Sequence, residues 1–392
     1  MQNPFEYGRE LGPGELVDRE AELAEVRATL LEGGKLFLIG PRRFGKTSIH
    51  NVAAQEARLA GGHVLRYNVE AFPRLADLVS AIVVDAARVL TGPIELATGT
   101  LARVFKRLRP SLTYSPLDQT WSVALGVETD SAPVPLLAQA LHGLEEAAGE
   151  AGRPVGLILD EIQHIVTPGG AAAEGQLRAA VQEHRRVGYV FAGSDTRLLT
   201  AMTMDAGRPF YRLGAVRVVG VVPREAFVSF LRGGFGQLRA TVAPGATEAV
   251  LDAAEEVPYN VQQLAHYIWG ILQAEGEGAV LTPERVTRLR DELAMRLDPL
   301  YSAPWLALTR AQQAALQAVV HERGEGLYRR GVSRQYRLSA SAMKKAVDAL
   351  LARNILRREA RSAEERLLLE DPLYGAWVRL VTRQPIDPST TR

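Results

Sequence analysis

The segment Leu36–Asn51, "LFLIGPRRFGKTSIHN", is an apolar run that breaks into glycine, proline and two arginines and then resumes around a lysine. Within it, Gly40 to Thr47 satisfies the pattern G-x-x-x-x-G-K-[ST], between a predicted strand at 35–39 and a predicted helix after Gly45. Glycines let backbone N–H groups converge on phosphate oxygens at a helix N-terminus, where the helix dipole favours negative charge. The segment therefore predicts a phosphate-binding loop. The alternative is a glycine-rich turn without a ligand.

Lys46 is unusual because the chain contains 41 arginines and only five lysines. A slim stem with a compact charge can reach β- and γ-phosphates inside such a loop, whereas a planar guanidinium would not fit. We expect Thr47 to bind Mg²⁺ through its hydroxyl. The other residues of this segment predicted to contact nucleotide are Gly40, Pro41, Arg42, Arg43, Phe44, Gly45 and Ser48.

The stretch Pro154–Ile165, "PVGLILDEIQHI", is a continuous apolar run followed by two carboxylates. Such a run is typical of a strand that is covered on both faces of a parallel sheet. At the carboxyl end of this strand, Asp160 would lie beside Thr47 and bind Mg²⁺ through water. The next side chain points elsewhere, so we expect Glu161 to face a water molecule that attacks the γ-phosphate. Alternatively, both acids are only the polar cap of a buried strand.

Ser194 ends the next apolar strand, Val187–Ser194. Its hydroxyl could orient the attacking water or sense the γ-phosphate, or it could be the N-cap of a helix over 195–202. Arg208 and Arg212 lie on the loop before the following strand, where either could serve as an arginine finger that reaches a neighbouring subunit's nucleotide. In a chain so rich in arginine, surface charge is the competing explanation for both.

The composition is that of an ordinary globular protein, with 47% hydrophobic and 23% charged residues. Its 392 residues predict two or three domains, because single cores stop growing at about 250–300 residues. The sequence has no cysteine, which excludes disulfides, thiolate zinc sites and cysteine nucleophiles and fits a reducing cytoplasm. No stretch reaches the roughly 18 uninterrupted apolar residues of a spanning helix. We therefore expect a cytoplasmic protein with no membrane partner.

Strand and helix patterns alternate up to about residue 222. The predicted strands cover 35–39, 63–70, 154–160, 187–194 and 215–222, the predicted helices cover 17–31, 75–90, 94–108 and 135–148, and 111–130 has the pattern of a hairpin. This alternation predicts an α/β fold with a parallel sheet built from right-handed crossovers. After Pro223 the strand patterns stop, and 247–274 and 283–297 are predicted to be helical. The expected domains are an ATPase domain at 1–222, a helical lid at 223–300 and a third domain at 301–392.

Six short motifs, in their order along the chain, resemble the prokaryotic archaeal-type ATPase family. They are "VDREAEL" (17–23), "GPRRFGKTS" (40–48), "LILDEIQ" (157–163), "FAGS" (191–194), "RPFYRLG" (208–214) and "DPLYGAWVR" (371–379). That family belongs to the AAA+ and signal-transduction branch of P-loop ATPases and is related to the origin-recognition ATPases. The resemblance covers nearly the whole chain and implies an AAA+-like P-loop sheet, a helical lid and a C-terminal winged helix.

The resemblance also implies roles for three residues. Arg19 would lie near the nucleotide base or the lid, Ser194 would be the sensor of the γ-phosphate, and Pro258 would be a lid residue that approaches the nucleotide. Two departures stand near that proline. Glu256 replaces a glycine that the family often has, and Asn260 is the nearest candidate where origin-recognition relatives carry a lid arginine. A missing lid arginine leaves slow, switch-like hydrolysis open. The arginine that follows "PLYG" in the family is shifted by one residue in this chain, so Arg212 matches its position only approximately.

The C-terminal segment has the pattern of a helix-turn-helix followed by a wing. Thr309 is expected to cap one helix and Ser339 or Ser341 the next, and 355–371 reads as two strands around a turn. Lys344 and Lys345 would point outward near the start of the second helix, which is the geometry of major-groove reading.

Local charge supports a nucleic-acid partner for this segment. Residues 323–361 contain 11 Lys/Arg against 3 Asp/Glu, in a chain whose net charge is only +1. We predict that Lys344, Lys345 and Arg337 contact DNA phosphates. The alternative is that the winged helix packs on its own lid or on a protein partner. A second basic cluster, Arg103, Lys106, Arg107 and Arg109, is predicted to be a solvated helix face.

The sequence thus predicts an ATP-dependent switch in which ATP and Mg²⁺ change the grip of the winged helix on DNA. Hydrolysis would use Glu161 as the base, with Lys46 absorbing charge and an arginine such as Arg212 donated in trans. The main rival is a nucleotide-bound regulatory or scaffold protein that binds a protein partner and hydrolyses little. A nucleotide kinase is disfavoured because no acceptor-site motif follows the loop. Assembly into a homo-oligomer is left open.

Overall fold

The computed structural model describes residues 2–91, 110–115, 120–125, 133–359 and 366–382. These form two compact units, which we call the sheet unit (Glu10–Pro41 and Gly45–Gly220) and the C-terminal unit (Met1–Arg9, Arg42–Phe44 and Val221–Arg392). The predicted helix at 94–108, its basic cluster and the turn of the predicted wing at 360–365 lie outside the described residues.

The sheet unit contains a five-stranded parallel sheet. The described strands of this unit, in chain order, are β1 (Lys35–Ile39), β2 (His63–Asn68), β3 (Pro110–Ser115), β4 (Thr120–Leu125), β5 (Val155–Asp160), β6 (Val187–Gly193) and β7 (Ala215–Val218). The order in the sheet is β2-β5-β6-β1-β7, and β3 and β4 form a separate antiparallel pair. The predicted α/β fold with a parallel sheet is confirmed.

Helices cover this sheet and explain its apolar strands. They are α1 (Glu20–Glu32), α2 (Lys46–Leu59), α3 (Leu75–Thr91), α4 (Pro133–Ala151), α5 (Gln163–Val181) and α6 (Thr196–Met204). Helix α1 packs on β5, β6 and α2, while α3 packs on α4. Every residue of β5 and β6 is buried, as expected for central strands of a covered parallel sheet.

The strand order brings three chain segments to one edge of the sheet. Strand β6 lies between β1 and β5, and Ile39 at the end of β1 is paired with Gly193 at the end of β6. Because parallel strands end at the same edge, the loop after β1, the acids after β5 and Ser194 after β6 are neighbours there.

The C-terminal unit is mainly helical. Its helices are α7 (Arg224–Phe235), α8 (Ala246–Ala253), α9 (Pro258–Glu275), α10 (Pro283–Arg296), α11 (Asp298–Leu306), α12 (Arg310–His321), α13 (Arg330–Gln335), α14 (Ala340–Ala352) and α15 (Pro372–Val381). Its strands are β8 (Thr241–Val242), β9 (Val280–Leu281), β10 (Leu356–Arg358) and β11 (Leu367–Leu369). Thr309 caps α12 with a capping box, and Ser339, not Ser341, caps α14.

Two expectations for this unit need correction. The strands do not stop at Pro223, because β8 and β9 form a short parallel pair whose two-residue length leaves no apolar pattern. The helix predicted over 247–274 is divided into α8 and α9. Glu255 and Glu256 adopt positive φ, and Pro258, which lacks an N–H, begins α9.

The three-domain division stays a prediction. Helix α10 of the expected lid packs on α15 of the expected third domain, within the same unit. No helix in the described part of the chain is both long and apolar enough to cross a membrane.

Candidate nucleotide site

Two glycines shape the loop between β1 and α2. Gly45 has φ of 87° and directly precedes α2, a conformation that favours glycine over residues with a side chain. A Cβ at Gly40 would lie 2.6 Å from the carbonyl oxygen of Val219, so the close approach of these two segments requires glycine. Both glycines of the pattern thus occupy positions that favour or require glycine, and the phosphate-binding role of the segment stays a prediction.

Lys46 is buried, and its ammonium donates a hydrogen bond to the carbonyl oxygen of Pro41 at 2.8 Å. The side chain therefore folds back over its own loop. The same ammonium can donate to a phosphate oxygen bound in the loop, because phosphate oxygens and carbonyl oxygens are both hydrogen-bond acceptors.

Asp160 accepts three hydrogen bonds at the end of β5. Its Oδ2 accepts from the hydroxyl of Thr47 at 3.1 Å and from Nε2 of His50 at 3.0 Å, and its Oδ1 accepts from the backbone N–H of Glu161 at 3.0 Å. Burial opposes ionisation, but the bond from His50 and the charge of Lys46 hold the pKa of Asp160 below its ordinary value. The structure brings Thr47 and Asp160 together as expected.

Glu161 departs from strand geometry. Its φ of 55° lies in the left-handed region, a conformation that is costly for a residue with a side chain and is often found at functional sites. The turn directs the carboxylate to the end of β6, where Oε2 accepts from the backbone N–H and the hydroxyl of Ser194 at 3.0 and 2.9 Å. Nε2 of Gln163 also donates to Oε2, at 2.5 Å. Among the described residues, Oε1 accepts no hydrogen bond.

The alternative role for Ser194 as a helix N-cap is wrong. The N-cap of α6 is Asp195, whose side chain accepts from the N–H of Leu198 at 2.9 Å. Ser194 uses its hydroxyl on Glu161 instead. Its place at the carboxyl end of β6, beside β5, makes this contact available.

Two residues of this site were not predicted. His50 and Gln163 both contact the acids, and both are more than nine-tenths buried. His50 follows Lys46 by one helical turn, and Gln163 follows Glu161 by two residues. That spacing from Lys46 and from Glu161 was the available signal.

The remaining predicted residues of the sheet unit lie apart from the acids. Arg19 is buried and binds Glu22 at 3.0 Å and the carbonyl oxygen of Gly220 at 2.6 Å. Arg212 is exposed, has φ of 54° and lies over the ring of Tyr211. Arg208, the other finger candidate, is ion-paired with Glu174. Ser48 accepts a hydrogen bond from the N–H of Leu11 at 3.1 Å.

Arg43 belongs to the C-terminal unit and contacts an acid and an aromatic ring of that unit. Its guanidinium is 2.7 Å from Oδ2 of Asp371, in the motif "DPLYGAWVR", and lies over the ring of Tyr259. Asp371 also accepts from Asn260 at 2.8 Å and from the hydroxyl of Tyr301 at 2.9 Å. Burial opposes the charge of Arg43, but Asp371 raises the pKa of Arg43 above its ordinary value.

The other predicted residues of the C-terminal unit are mostly exposed. Phe44 is buried beneath the guanidinium of Arg357, whereas Arg42 is exposed. Pro258 is half-buried at the first turn of α9. Three basic side chains of the predicted DNA surface are exposed: Arg337, Lys344 and Lys345.

The oxygen ligands at the carboxyl edge of the sheet suit Mg²⁺ better than a metal that needs many protein ligands. No group of three or more His, Asp or Glu residues that could hold a metal occurs in the described ranges. One ionised carboxylate beside one hydroxyl fits an ion that keeps several waters and takes further oxygens from substrate phosphates. Thr47 and Asp160 are therefore the residues that fit the ion.

Comparison with solved structures identifies the fold. A Walker-type ATPase of Pyrococcus abyssi matches with a TM-score of 0.58 at 17% identity, over 96% of this chain and 99% of that chain. The chain has the fold of a P-loop ATPase. The ORC2 protein of Aeropyrum pernix, solved as ADPNP–ADP complexes, matches with a TM-score of 0.52 at 13% identity, over 96% of both chains. The expected likeness to archaeal-type P-loop ATPases and origin-recognition proteins is confirmed at the level of fold.

No family model matches the sequence, and no curated protein matches it.

Proposed function

We propose that this P-loop protein binds and hydrolyses ATP and uses the nucleotide state to control a DNA-binding segment. The observation that carries the proposal is the 3.1 Å contact between the hydroxyl of Thr47 and Asp160. It joins the phosphate loop to the acid of β5, and Glu161 follows that acid directly. This is the arrangement that a P-loop hydrolase requires for metal, phosphate and water.

In the proposed reaction, water bonds to the γ-phosphorus while the bond from that phosphorus to the bridging oxygen breaks. Mg²⁺, held by Thr47 and Asp160, would supply positive charge to the β- and γ-phosphate oxygens. Lys46 exchanges the Pro41 carbonyl for a phosphate oxygen. Glu161 takes the proton of the water at Oε1, while its other oxygen stays held by the donors at Ser194 and Gln163.

Two substitutions test hydrolysis. Glu161→Gln preserves the shape of the side chain but removes the base, so ATP hydrolysis falls about 100-fold or more while binding of a fluorescent ATP analogue is retained. Lys46→Ala weakens binding and hydrolysis together. Lys344→Ala is the matched lysine control, and it leaves both measurements at the wild-type level in the absence of DNA.

Unchanged phosphate release by Glu161→Gln rejects Glu161 as the base. A phosphorylated product in place of free phosphate would mean that the protein is a kinase.

The DNA part of the proposal is supported by elements of the C-terminal unit. Helices α12, α13 and α14 are followed by the antiparallel pair β10 and β11, which is the element order of a winged helix. Lys344 and Lys345 are exposed near the start of α14. Residues Arg42–Phe44 of the phosphate-loop pattern belong to the C-terminal unit, where Arg43 is ion-paired with Asp371.

A salt titration tests DNA binding. We expect affinity for duplex DNA to fall by orders of magnitude from low to moderate salt, and the double change Lys344→Glu with Lys345→Glu to abolish it. The double change Lys344→Arg with Lys345→Arg keeps the charge and is the matched control. Nucleotide binding without any DNA binding would favour the rival function, a regulatory scaffold for a protein partner.

A further inference from the structure

His50 is a buried polar side chain that the proposed chemistry does not use. It lies on α2, four residues after Lys46 and three after Thr47, so it neighbours each of them on the helix surface. Its side chain is fully buried, and Nε2 is 3.0 Å from Oδ2 of Asp160. His50 therefore joins the helix of the phosphate loop to the strand that carries the acid.

The direction of this hydrogen bond follows from the acid. An ionised carboxylate can only accept, so Nε2 of His50 is the donor. Nδ1 is buried and has no hydrogen-bond partner among the described residues. Among the described residues, the single polar contact of the ring is thus with Asp160.

The two oxygens of Asp160 have different donors. Oδ1 accepts from the backbone N–H of Glu161, whereas Oδ2 accepts from both the hydroxyl of Thr47 and Nε2 of His50. The Thr47 hydroxyl is also the expected metal ligand, and binding the ion requires its oxygen to face the metal. His50 is then the side-chain donor that keeps Oδ2 oriented.

On the basis of the function proposed above, we propose that His50 is a positioning residue for Asp160 and sets the affinity of the site for Mg²⁺. Outer partners that orient a metal ligand typically change metal affinity by about 10- to 100-fold when they are removed. His50 would act in this way without touching the nucleotide.

The test separates metal affinity from nucleotide affinity. Binding of adenylyl imidodiphosphate is measured in EDTA, and Mn²⁺ is then titrated into the protein with bound analogue while the free ion is followed by electron paramagnetic resonance. His50→Leu removes the donor, and His50→Gln places an amide N–H near the position of Nε2. His184→Leu is the matched control, because His184 is also buried in the sheet unit but has other partners.

We expect His50→Leu to weaken Mn²⁺ binding by about 10- to 100-fold with unchanged binding of the analogue in EDTA. His50→Gln should recover most of that loss, and His184→Leu should show none of it. If His50→Leu does not fold, His50→Gln is compared with His50→Asn, whose shorter amide falls short of Asp160; the Gln variant should bind Mn²⁺ more tightly.

Three results would overturn the inference: Mn²⁺ affinity at the wild-type level in His50→Leu, equal Mn²⁺ affinities for the Gln and Asn variants, or parallel losses of metal and analogue in His50→Leu and His184→Leu. Failure of the proposed function has a different signature. In that case the wild-type protein binds no analogue in EDTA or with Mn²⁺, and Lys46→Ala is indistinguishable from it.

Discussion

Two buried histidines lie at opposite ends of the same sheet, and their neighbours differ in kind. At the carboxyl end, Nε2 of His50 meets the carboxylate of Asp160 at 3.0 Å. At the amino end, Nδ1 of His184 meets the hydroxyl of Tyr189 at 2.7 Å, and its Nε2 meets Nδ1 of His142 at 2.9 Å. One histidine faces an acid, and the other faces a phenol and a second imidazole.

At the amino end, burial keeps the titrating side chains neutral. Burial lowers the pKa of His184 to about 4, although Glu145 opposes the shift; His142 and Lys35 add to it. Burial also raises the pKa of Tyr189. At the carboxyl end, Asp160 keeps its charge despite burial. The same residue type thus has a phenol and a second imidazole as partners at one end and an ionised carboxylate at the other, where the strand ends of an α/β sheet place functional groups.

The substitution Asp160→Asn is expected to have the largest effect at the carboxyl end. The amide keeps the shape of the acid, so the fold is retained, but the charge that attracts Mg²⁺ is lost. Because metal charge is worth several kcal/mol in such reactions, ATP hydrolysis should fall about 100-fold or more. Phosphate release and thermal unfolding are measured side by side, with His184→Gln as the amino-end control. Equal hydrolysis by Asp160→Asn and wild type would mean that the two ends do not differ in function.

Acidification tests the amino end. The pKa of His184 is about 4 in the folded chain and 6.5 as its ordinary value, so the unfolded chain binds the proton more readily. Stability is therefore present above 6.5 and is lost as pH falls toward 4. Between about pH 7 and about pH 5 this group alone should cost about 2 kcal/mol of unfolding free energy.

Urea unfolding of wild type and His184→Gln at both pH values isolates that contribution, because every other titrating group is shared. Wild type should lose about 2 kcal/mol more than the variant on acidification. Parallel losses would show that His184 does not titrate as its burial requires.

The two ends also differ in how far sequence reasoning could reach. At the carboxyl end, the phosphate-loop pattern and the apolar run before Asp160 each occupy one short stretch, and parallel strands necessarily end together. The amino-end cluster joins His184 and Tyr189, which are 5 residues apart, to His142 and Lys35, which lie 42 and 149 residues from His184. No local period records such a cluster, since it exists only once β1 and β6 are paired.

Within the carboxyl end itself, the sequence could not predict the contacts that residues of one strand make with residues of the next. The expectation that Glu161 points away from Asp160 rested on strand alternation, but the structure achieves it with a left-handed turn. The choice between sensor and N-cap for Ser194 needed the position of β6 beside β5, because only that neighbour supplies the carboxylate of Glu161. Arg43 was predicted as a nucleotide contact, and its ion pair with Asp371 joins residues whose sequence positions gave no hint of it.

The smallest expected effect separates two adjacent residues after β6. Ser194→Ala removes one of the three donors to Oε2 of Glu161 and leaves the backbone N–H and Gln163 in place. One hydrogen bond of about 1 kcal/mol corresponds to a fall in ATP hydrolysis of about fivefold, with ATP binding unchanged. Asp195→Ala removes the N-cap of α6 and should cost about 1 kcal/mol of stability without changing hydrolysis. If Ser194→Ala hydrolyses ATP at the wild-type rate, the backbone N–H and Gln163 alone position Glu161, and the hydroxyl after β6 is only a spare donor.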